Sequence, residues 1–315
     1  MEDRTLMLRL TFPTLIILQG ITQLRSQKWD LPLQQNIFDD QYISCSENLE
    51  TEIMPNLLKE EKSQNPQFRE AWDKAEEKWR NLTLSFYYDY NFPLCPVMFK
   101  DEYSIALILY TMQDPDVQKV RQQFNANVSV AGVSRDEYMK NFHYKSLHFY
   151  LTRGLQTYPV KQKEKIRVLT KDNVPENTSF VFRYGHFLRS TREKMKVSTH
   201  ILTSYFGYKT DCFGIYYNEP SEIIIPISET FFYVGTIEGI QYVISSGLQC
   251  SYFNCAYLGA EKRKSPLCGS DYDQKIFNGS GPRRGFLLCG GAIPYIFCGF
   301  ILVIAEAFSK LVCSF

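Results

Sequence analysis

The sequence predicts an α+β fold in which a helical first half precedes a β-rich second half. Two observations carry this prediction. Apolar residues recur at helical spacing before residue 160, and short runs rich in β-branched and aromatic residues dominate after Lys165. A block of helices followed by a block of strands is typical of helices segregated from a mostly antiparallel sheet. Since 44% of the 315 residues are hydrophobic, we expect one large domain with a substantial core.

In the first half, Phe68, Trp72, Ala75 and Trp79 recur at spacings of four, three and four, which predicts a helix over residues 66–80. A second helix is expected to begin at the capping box Ser134-Arg135-Asp136-Glu137 and to continue through Tyr138, Phe142 and residues 148–155. We interpret the aromatic stripes of both helices as core packing.

The second half is predicted to form a series of short strands separated by Gly, Pro, Asn or Asp. The expected strands are Ile166–Thr170, Ser179–Tyr184, Phe213–Tyr217, Glu222–Ile227, Thr230–Gly235 and Ile240–Ser245.

The N-terminus has the pattern of a secretory signal peptide. Arg4 and Arg9 lie beside a short apolar segment, residues 10–18, and the small residues Gly20 and Thr22 follow it. We expect a signal peptide over residues 1–22, with a buried N-terminal strand as the alternative, and an ectodomain over residues 23–278. Four Asn-x-Ser/Thr sequons, at Asn81, Asn127, Asn177 and Asn278, fit this route, and we expect glycosylation at the first three.

The C-terminus predicts a hydrophobic anchor or anchor signal over residues 279–315. Residues 285–305 carry no charge, and as a helix they would span about 30 Å, roughly one bilayer core. A transmembrane helix and a glycosylphosphatidylinositol (GPI) attachment signal are both compatible with this pattern. The short stretch after the apolar segment favours the lipid anchor.

Several function classes are disfavoured by composition and motif content. A net charge of +1 gives no support to a nucleic-acid-binding surface. No GxGxxG, P-loop, GxSxG or HExxH motif is present, and four histidines supply few candidates for a metal site or a histidine-based triad. We therefore expect no metal, no phosphoryl transfer and no serine hydrolase chemistry.

Five segments, spread in order over residues 38–255, carry a family resemblance. They are Phe38-Asp39-Asp40-Gln41-Tyr42 followed by Cys45, the twelve residues from Phe142 to Arg153, Tyr184-Gly185-His186-Phe187, Glu222-Ile223-Ile224-Ile225-Pro226, and Tyr252-Phe253-Asn254-Cys255. Together they resemble the vertebrate ecto-ADP-ribosyltransferases. The resemblance implies helices packed on a mostly antiparallel β-sandwich with an NAD cleft. It also implies a glycosyltransferase, an NAD(P)+ protein-arginine mono-ADP-ribosyltransferase, for which NAD is a substrate and a surface or secreted protein is the arginine acceptor.

The implied reaction needs a carboxylate beside the ribose, because breaking the nicotinamide ribosyl bond builds positive charge on the sugar. The family signature R-S-E-x-E places this carboxylate on Glu222. The acceptor-holding carboxylate of the signature falls on Pro220, which carries no charge, and Glu219 stands one position earlier. The alternative interpretation of Glu222 is an exposed charge at a strand end.

The other signature positions are also altered. The first serine of the family's S-x-S element falls on Arg189, which leaves Ser190 as the nearest hydroxyl to support Glu222. Arg167 is the best candidate for the pyrophosphate-binding arginine, since a guanidinium can donate paired hydrogen bonds. The resemblance also assigns cofactor contacts to Tyr184, Gly185, His186 and Phe187, whereas Arg183 is expected to be a bystander, with a place near the phosphates as an alternative.

Nine cysteines divide into three in the C-terminal segment, at 289, 298 and 313, and six in the expected ectodomain. The resemblance pairs Cys45 with Cys255. Cys250 and Cys268 would form a second pair, and Cys212 is either free or paired with Cys95.

The altered signature leaves three hypotheses. The first is ADP-ribose transfer to protein arginine at the cell surface. The second is an NAD glycohydrolase, in which water replaces the acceptor. The third is a catalytically inactive surface binding protein on the same fold, since fold does not fix function.

Overall fold

A computed structural model describes residues 34–88, 100–157, 166–170, 181–191, 200–210 and 222–269. The chain divides into two compact units, Met1–Asn278 and Gly279–Phe315, and the second lies outside the described residues. The same is true of the expected signal peptide, the expected strand 213–217, and Cys95, Cys212, Asn177 and Asn278. Within the described ranges, no helix has the length and apolar character needed to cross a membrane.

The first half of the described chain is helical, as predicted. A short α-turn, Ser46–Asn48, and a π-helical segment, Leu49–Ile53, lead into the helices. These are α1 (Met54–Gln64), α2 (Pro66–Tyr88), α3 (Asp101–Thr111), α4 (Pro115–Ala131), α5 (Arg135–Asn141) and α6 (Lys145–Thr157). The predicted stripe of α2 is buried at all four positions. Asn65 caps this helix, because its Oδ1 accepts the backbone N–H of Phe68 at 3.0 Å.

The expected single helix from Ser134 to Leu155 is instead two helices. Ser134 caps α5, its Oγ accepting the N–H of Glu137 at 3.1 Å, but the chain becomes extended at Phe142. The carboxylate of Glu61 then accepts the N–H groups of Lys145 at 2.7 Å and Ser146 at 3.0 Å. These N–H groups have no partner within the first turn of a helix, so a carboxylate from α1 starts α6. The continuous-helix prediction was wrong because this cap comes from 84 residues away.

The described residues of the second half form a nine-stranded sheet in the order β2-β7-β8-β4-β1-β3-β6-β5, with β9 paired to β8. All described pairings are antiparallel except the parallel β4–β8 pair, which agrees with the predicted mostly antiparallel sheet. The strands are β1 (Ile166–Thr170), β2 (Val181–Phe182), β3 (Leu188–Thr191), β4 (His200–Ser204), β5 (Tyr208–Lys209), β6 (Glu222–Ile225), β7 (Glu229–Ile237), β8 (Ile240–Ser251) and β9 (Leu267–Gly269).

Two apolar clusters show how the sheet is covered. The larger cluster combines the helices with one face of the sheet near β6, where Ile224 and Tyr208 contribute. The smaller one joins side chains from strands far apart in the order, among them Phe231 of β7, Leu188 of β3 and Ile223 of β6. Because β7 and β6 lie near opposite ends of the order, the sheet folds over this second cluster as in a sandwich.

The acidic pair of the first family segment holds the last one in place. The Asp39 carboxylate accepts the N–H groups of Tyr252, at 2.9 and 3.0 Å, and Phe253, at 3.0 Å. The Asp40 carboxylate accepts those of Cys255 at 2.9 Å and Ala256 at 2.7 Å. Burial raises the pKa of Asp40 to about 6 despite these donors. The resemblance at these positions therefore has a structural basis.

Two disulfides and a buried ion pair complete this arrangement. Cys45 is bonded to Cys255, and Cys250 to Cys268, which are the two pairs expected within the described residues. Arg183 is fully buried and its Nη1 lies 2.5 Å from Asp39 Oδ2. Arg183 is thus part of the core, and the alternative that placed it near the phosphates is wrong.

Candidate active site

Glu222 lies where the sheet meets the end of α3. It is the first residue of β6 and pairs with Thr191 of β3, which in turn pairs with Leu169 of β1. Its backbone is held by the residue that follows β5, since Thr210 donates its N–H to the Glu222 carbonyl at 2.9 Å. The side chain is only 13% exposed, so Glu222 is a held carboxylate rather than a free charge at a strand end.

The guanidinium of Arg189 is paired with the Glu222 carboxylate. In the β3–β6 ladder Arg189 pairs with Ile224, so it is the diagonal neighbour of Glu222 on the same face. Its Nε lies 2.7 Å from Glu222 Oε2, and its Nη2 donates to Oε1. Both carboxylate oxygens therefore accept from one guanidinium, which is the paired geometry of a strong charge-assisted interaction.

The end of α3 and the residues after it supply further contacts. Gln113 Nε2 donates to Glu222 Oε1 at 2.7 Å. Arg189 Nη2 also lies 3.4 Å from the carbonyl oxygen of Thr111. Arg121 of α4 lies nearby, and its Nη1 donates hydrogen bonds to the carbonyl oxygens of Tyr110 at 2.9 Å and Met112 at 3.1 Å. Burial first, and then the charge of Arg189, lower the pKa of Arg121 to about 10. Among the described side chains of this cluster, two guanidinium groups accompany one carboxylate, and because Arg189 is paired with Glu222, Arg121 supplies the charge that favours an anionic ligand.

Ser190 is not at this site. It pairs with Ile223, on the opposite face of the sheet from Glu222. Its side chain is buried, and its Oγ donates to the carbonyl of Ile223 at 3.0 Å. The predicted support of Glu222 by the Ser190 hydroxyl is therefore wrong, because strand alternation turns this side chain away.

The segment expected to contact the cofactor is the turn between β2 and β3, and two of its four residues are core residues. Tyr184 packs on Phe182 and Phe231 in the smaller apolar cluster. Phe187 is 1% exposed and stacks on Phe124 in the larger one. This burial leaves the Phe187 ring no surface for a cofactor contact, whereas a contact by Tyr184, which is 8% exposed, stays a prediction.

The other two residues of the turn remain candidates. Gly185 has a φ of +84°, a conformation that glycine adopts without strain. His186 is half-buried. Cofactor binding by these two residues stays a prediction.

Arg167 lies two strands from Glu222. Its backbone is in β1, paired with Thr203 of β4, and two residues along the strand from Leu169. The side chain is not among the described ones, and its predicted phosphate role stays a prediction. Pro220 and Glu219 lie outside the described residues.

Sequence patterns do not predict three contributors to the site: Gln113, Arg121 and the pairing of Arg189 with Glu222. Gln113 follows α3 and is 109 residues from Glu222, so no local pattern indicates it. Arg189 departs from the family serine in the sequence itself, but its pairing with Glu222 follows only from the β3–β6 register. Among the described residues, no group of three or more His, Cys, Asp or Glu side chains could hold a metal ion.

Known proteins resemble this chain over most of its length. Human ecto-ADP-ribosyltransferase 3 is 31% identical over 277 residues, 83% of this chain and 68% of its own. Ecto-ADP-ribosyltransferase 5 of Rattus norvegicus is 32% identical over 256 residues, 74% of this chain and 78% of its own. GPI-linked NAD(P)(+)–arginine ADP-ribosyltransferase 1 of Mus musculus is 28% identical, over 77% of this chain and 78% of its own.

Solved structures also resemble this chain. The crystal structure of the eukaryotic mono-ADP-ribosyltransferase ART2.2 matches 72% of this chain and 98% of its own, with a TM-score of 0.58 and 25% identity. A mutant of that enzyme in complex with NAD matches 71% of this chain and 97% of its own, with a TM-score of 0.57 and 26% identity. The profile of the NAD:arginine ADP-ribosyltransferase family matches residues 31–243. The chain belongs to the NAD:arginine ADP-ribosyltransferase family.

Proposed function

We propose that this protein binds NAD and transfers its ADP-ribose to an arginine side chain of another protein, releasing nicotinamide. The observation that carries the proposal is Glu222, a held and largely buried carboxylate at the start of β6, in a chain of this family. When the bond between ribose and nicotinamide breaks, its electron pair leaves with nicotinamide and positive charge develops on the ribose. A fixed carboxylate stabilises that charge more than it stabilises the intact substrate. An acceptor guanidinium nitrogen then forms the new bond to the ribose carbon and loses a proton.

The surroundings of Glu222 support an anionic dinucleotide as the substrate. With Arg189 paired to Glu222, Arg121 brings positive charge beside the carboxylate. Gln113 fixes one carboxylate oxygen, which keeps it from rotating during the reaction. We assign the NAD pyrophosphate to Arg167 and the turn at Gly185 and His186.

The second candidate function is NAD hydrolysis. Pro220 stands where the family signature has the carboxylate that holds the acceptor arginine, and it has neither charge nor N–H donor. Water then becomes the easier acceptor, while Glu222 still assists departure of nicotinamide. The third hypothesis, a binding protein without activity, draws support from the Arg189 guanidinium already paired with Glu222.

One assay separates these functions. The full chain is incubated with NAD labelled in its ADP-ribose part and with an arginine-rich acceptor protein. Transfer yields acceptor-linked label, hydrolysis yields free ADP-ribose, and an inactive binding protein yields neither while still binding NAD in a calorimetric titration. The substitution Pro220→Glu is compared with wild type in the same assay. We expect it to shift label from free ADP-ribose to the acceptor protein. If label stays distributed as in wild type, the role assigned to position 220 is wrong.

We also propose that the protein acts at the cell surface. Its relatives include proteins named as ecto-enzymes and as GPI-linked. The proposal combines a signal peptide over residues 1–22, an ectodomain over residues 23–278, and a C-terminal anchor signal over residues 279–315. Asn81 is exposed on α2 and accessible to glycosylation. Release of the protein from cells by a phosphatidylinositol-specific phospholipase supports the lipid anchor, and retention supports a transmembrane helix.

A further inference from the structure

We propose that Arg189 is a positioning residue that holds Glu222 in a latched state and limits its reaction with NAD. This inference rests on the proposed function, and the structural feature behind it is the guanidinium that contacts both oxygens of the reactive carboxylate. We call this arrangement, Arg189 paired with Glu222, the latch.

Three observations show that the latch is built into the fold. The β3–β6 register sets the two side chains on the same face as diagonal neighbours. The carbonyl of Thr111 lies 3.4 Å from the Arg189 Nη2 that also donates to Glu222. The two side chains are 22% and 13% exposed, so water competes for them less than at an open surface.

The latch opposes the reaction in two ways. The guanidinium and Gln113 together use three hydrogen bonds on the two carboxylate oxygens, so fewer lone pairs remain for the ribose hydroxyls. The positive charge of Arg189 also lies beside the place where the ribose becomes positive in the transition state. Since catalysis depends on stabilising that developing charge, a neighbouring cation raises the barrier.

The test replaces Arg189 and leaves Glu222 intact. Arg189→Ser removes both charge and bulk, Arg189→Met keeps the length without charge, and Arg189→Lys keeps the charge without the paired donors. Arg80→Ser is the matched control, because Arg80 forms an exposed ion pair with Glu76 within α2. Each full-length variant is purified, and its NAD affinity and its rate of nicotinamide release are measured.

We expect the Ser and Met variants to release nicotinamide about tenfold faster at equal NAD, the size of effect expected for loss of a charge-assisted pair. Both should also bind NAD more tightly. The Lys variant should lie between them and wild type, and Arg80→Ser should equal wild type. Adding Glu222→Gln to Arg189→Ser should abolish the gain, which a general change in folding would not do.

The failures of the latch and of the proposed function are distinguishable. If Arg189→Ser and Arg189→Met bind NAD no more tightly and turn it over no faster than wild type, the latch is overturned. If the variants bind NAD more tightly but none releases nicotinamide, the latch stands and the proposed function is overturned. If wild type releases nicotinamide through Glu222 and both variants are slower, Arg189 assists the reaction and the latch is again overturned.

Discussion

The molecule contains two arginine–carboxylate pairs that are chemically alike and differently placed. Arg183 and Asp39 are both fully buried, and the carboxylate also accepts two backbone N–H groups. Arg189 and Glu222 retain 22% and 13% of their side-chain exposure and lie where the sheet meets α3. The same two functional groups thus form a structural pair in one place and a candidate reactive centre in the other.

Burial determines what each pair can do. A charge buried without a partner costs several kcal/mol, so the buried pair cannot separate while the protein stays folded. Where the sheet meets the end of α3, solvent and Gln113 can take over part of the interaction between Arg189 and Glu222, and separation costs less. A reactive carboxylate must be able to exchange its partner for a substrate, and only the second pair meets that condition.

The largest expected effect comes from breaking the buried pair. Asp39→Asn removes the charge opposite Arg183 and weakens two backbone contacts, and we expect the free energy of unfolding to fall by about 3–5 kcal/mol. Denaturant unfolding measures this change. Arg80→Ala, which breaks the exposed pair with Glu76, should leave the midpoint nearly unchanged. If the two substitutions lowered the free energy of unfolding equally, the distinction between buried and exposed pairs would be wrong.

The next effect concerns the reactive pair. Glu222→Gln keeps the size of the side chain but removes the charge that stabilises the ribose, and nicotinamide release should fall about a hundredfold or more. Its unfolding midpoint should stay close to that of wild type. A variant that keeps its turnover would show that Glu222 is not the ribose carboxylate.

A pH-dependent effect is expected at a third carboxyl, Glu229. Burial raises its pKa from the ordinary 4.5 to about 7, even though it accepts hydrogen bonds from Ser204 Oγ at 2.6 Å and Ser245 Oγ at 2.5 Å. Between pH 4.5 and 7 the unfolded chain loses this proton while the folded protein keeps it. The contribution of Glu229 to stability is therefore complete below pH 4.5 and is lost as the pH rises through 7.

Glu229→Gln should remove that dependence. Relative to wild type, its free energy of unfolding should rise by on the order of 2 kcal/mol between pH 4.5 and 7.5. Burial lowers the pKa of His148 to about 3. Below pH 6.5 this histidine makes the free energy of unfolding rise with pH, opposite to the effect of Glu229. That slope is common to both proteins and cancels in the difference. Parallel pH profiles of the two proteins would contradict the raised pKa.

The smallest effect is the stability change on opening the reactive pair. Arg189→Met should change the free energy of unfolding by about 1 kcal/mol or less, because Glu222 keeps its Gln113 hydrogen bond and is not fully buried. Thermal unfolding at neutral pH measures it. A loss as large as that of Asp39→Asn would mean that Arg189 is a structural residue like Arg183.

Local patterns predicted the parts of the fold that depend on local sequence. The stripe of α2 and the cap at Ser134 follow from spacing alone, and both are present. The break between α5 and α6 was missed because the carboxylate of Glu61, distant in sequence, starts the second helix. Strand alternation likewise decided which of the neighbours Arg189 and Ser190 faces Glu222, and that depends on the β3–β6 register, which one strand alone does not determine.

The Cys250–Cys268 disulfide has a mechanical consequence. It links β9, the last described strand, to β8 at the position where the two residues are paired in the sheet. A pull on the chain beyond residue 269 would otherwise detach β9 from its edge one hydrogen bond at a time. With the disulfide present, such a force passes through a covalent bond into β8, a strand with β4 and β7 on its sides, and the sheet carries the load as a unit.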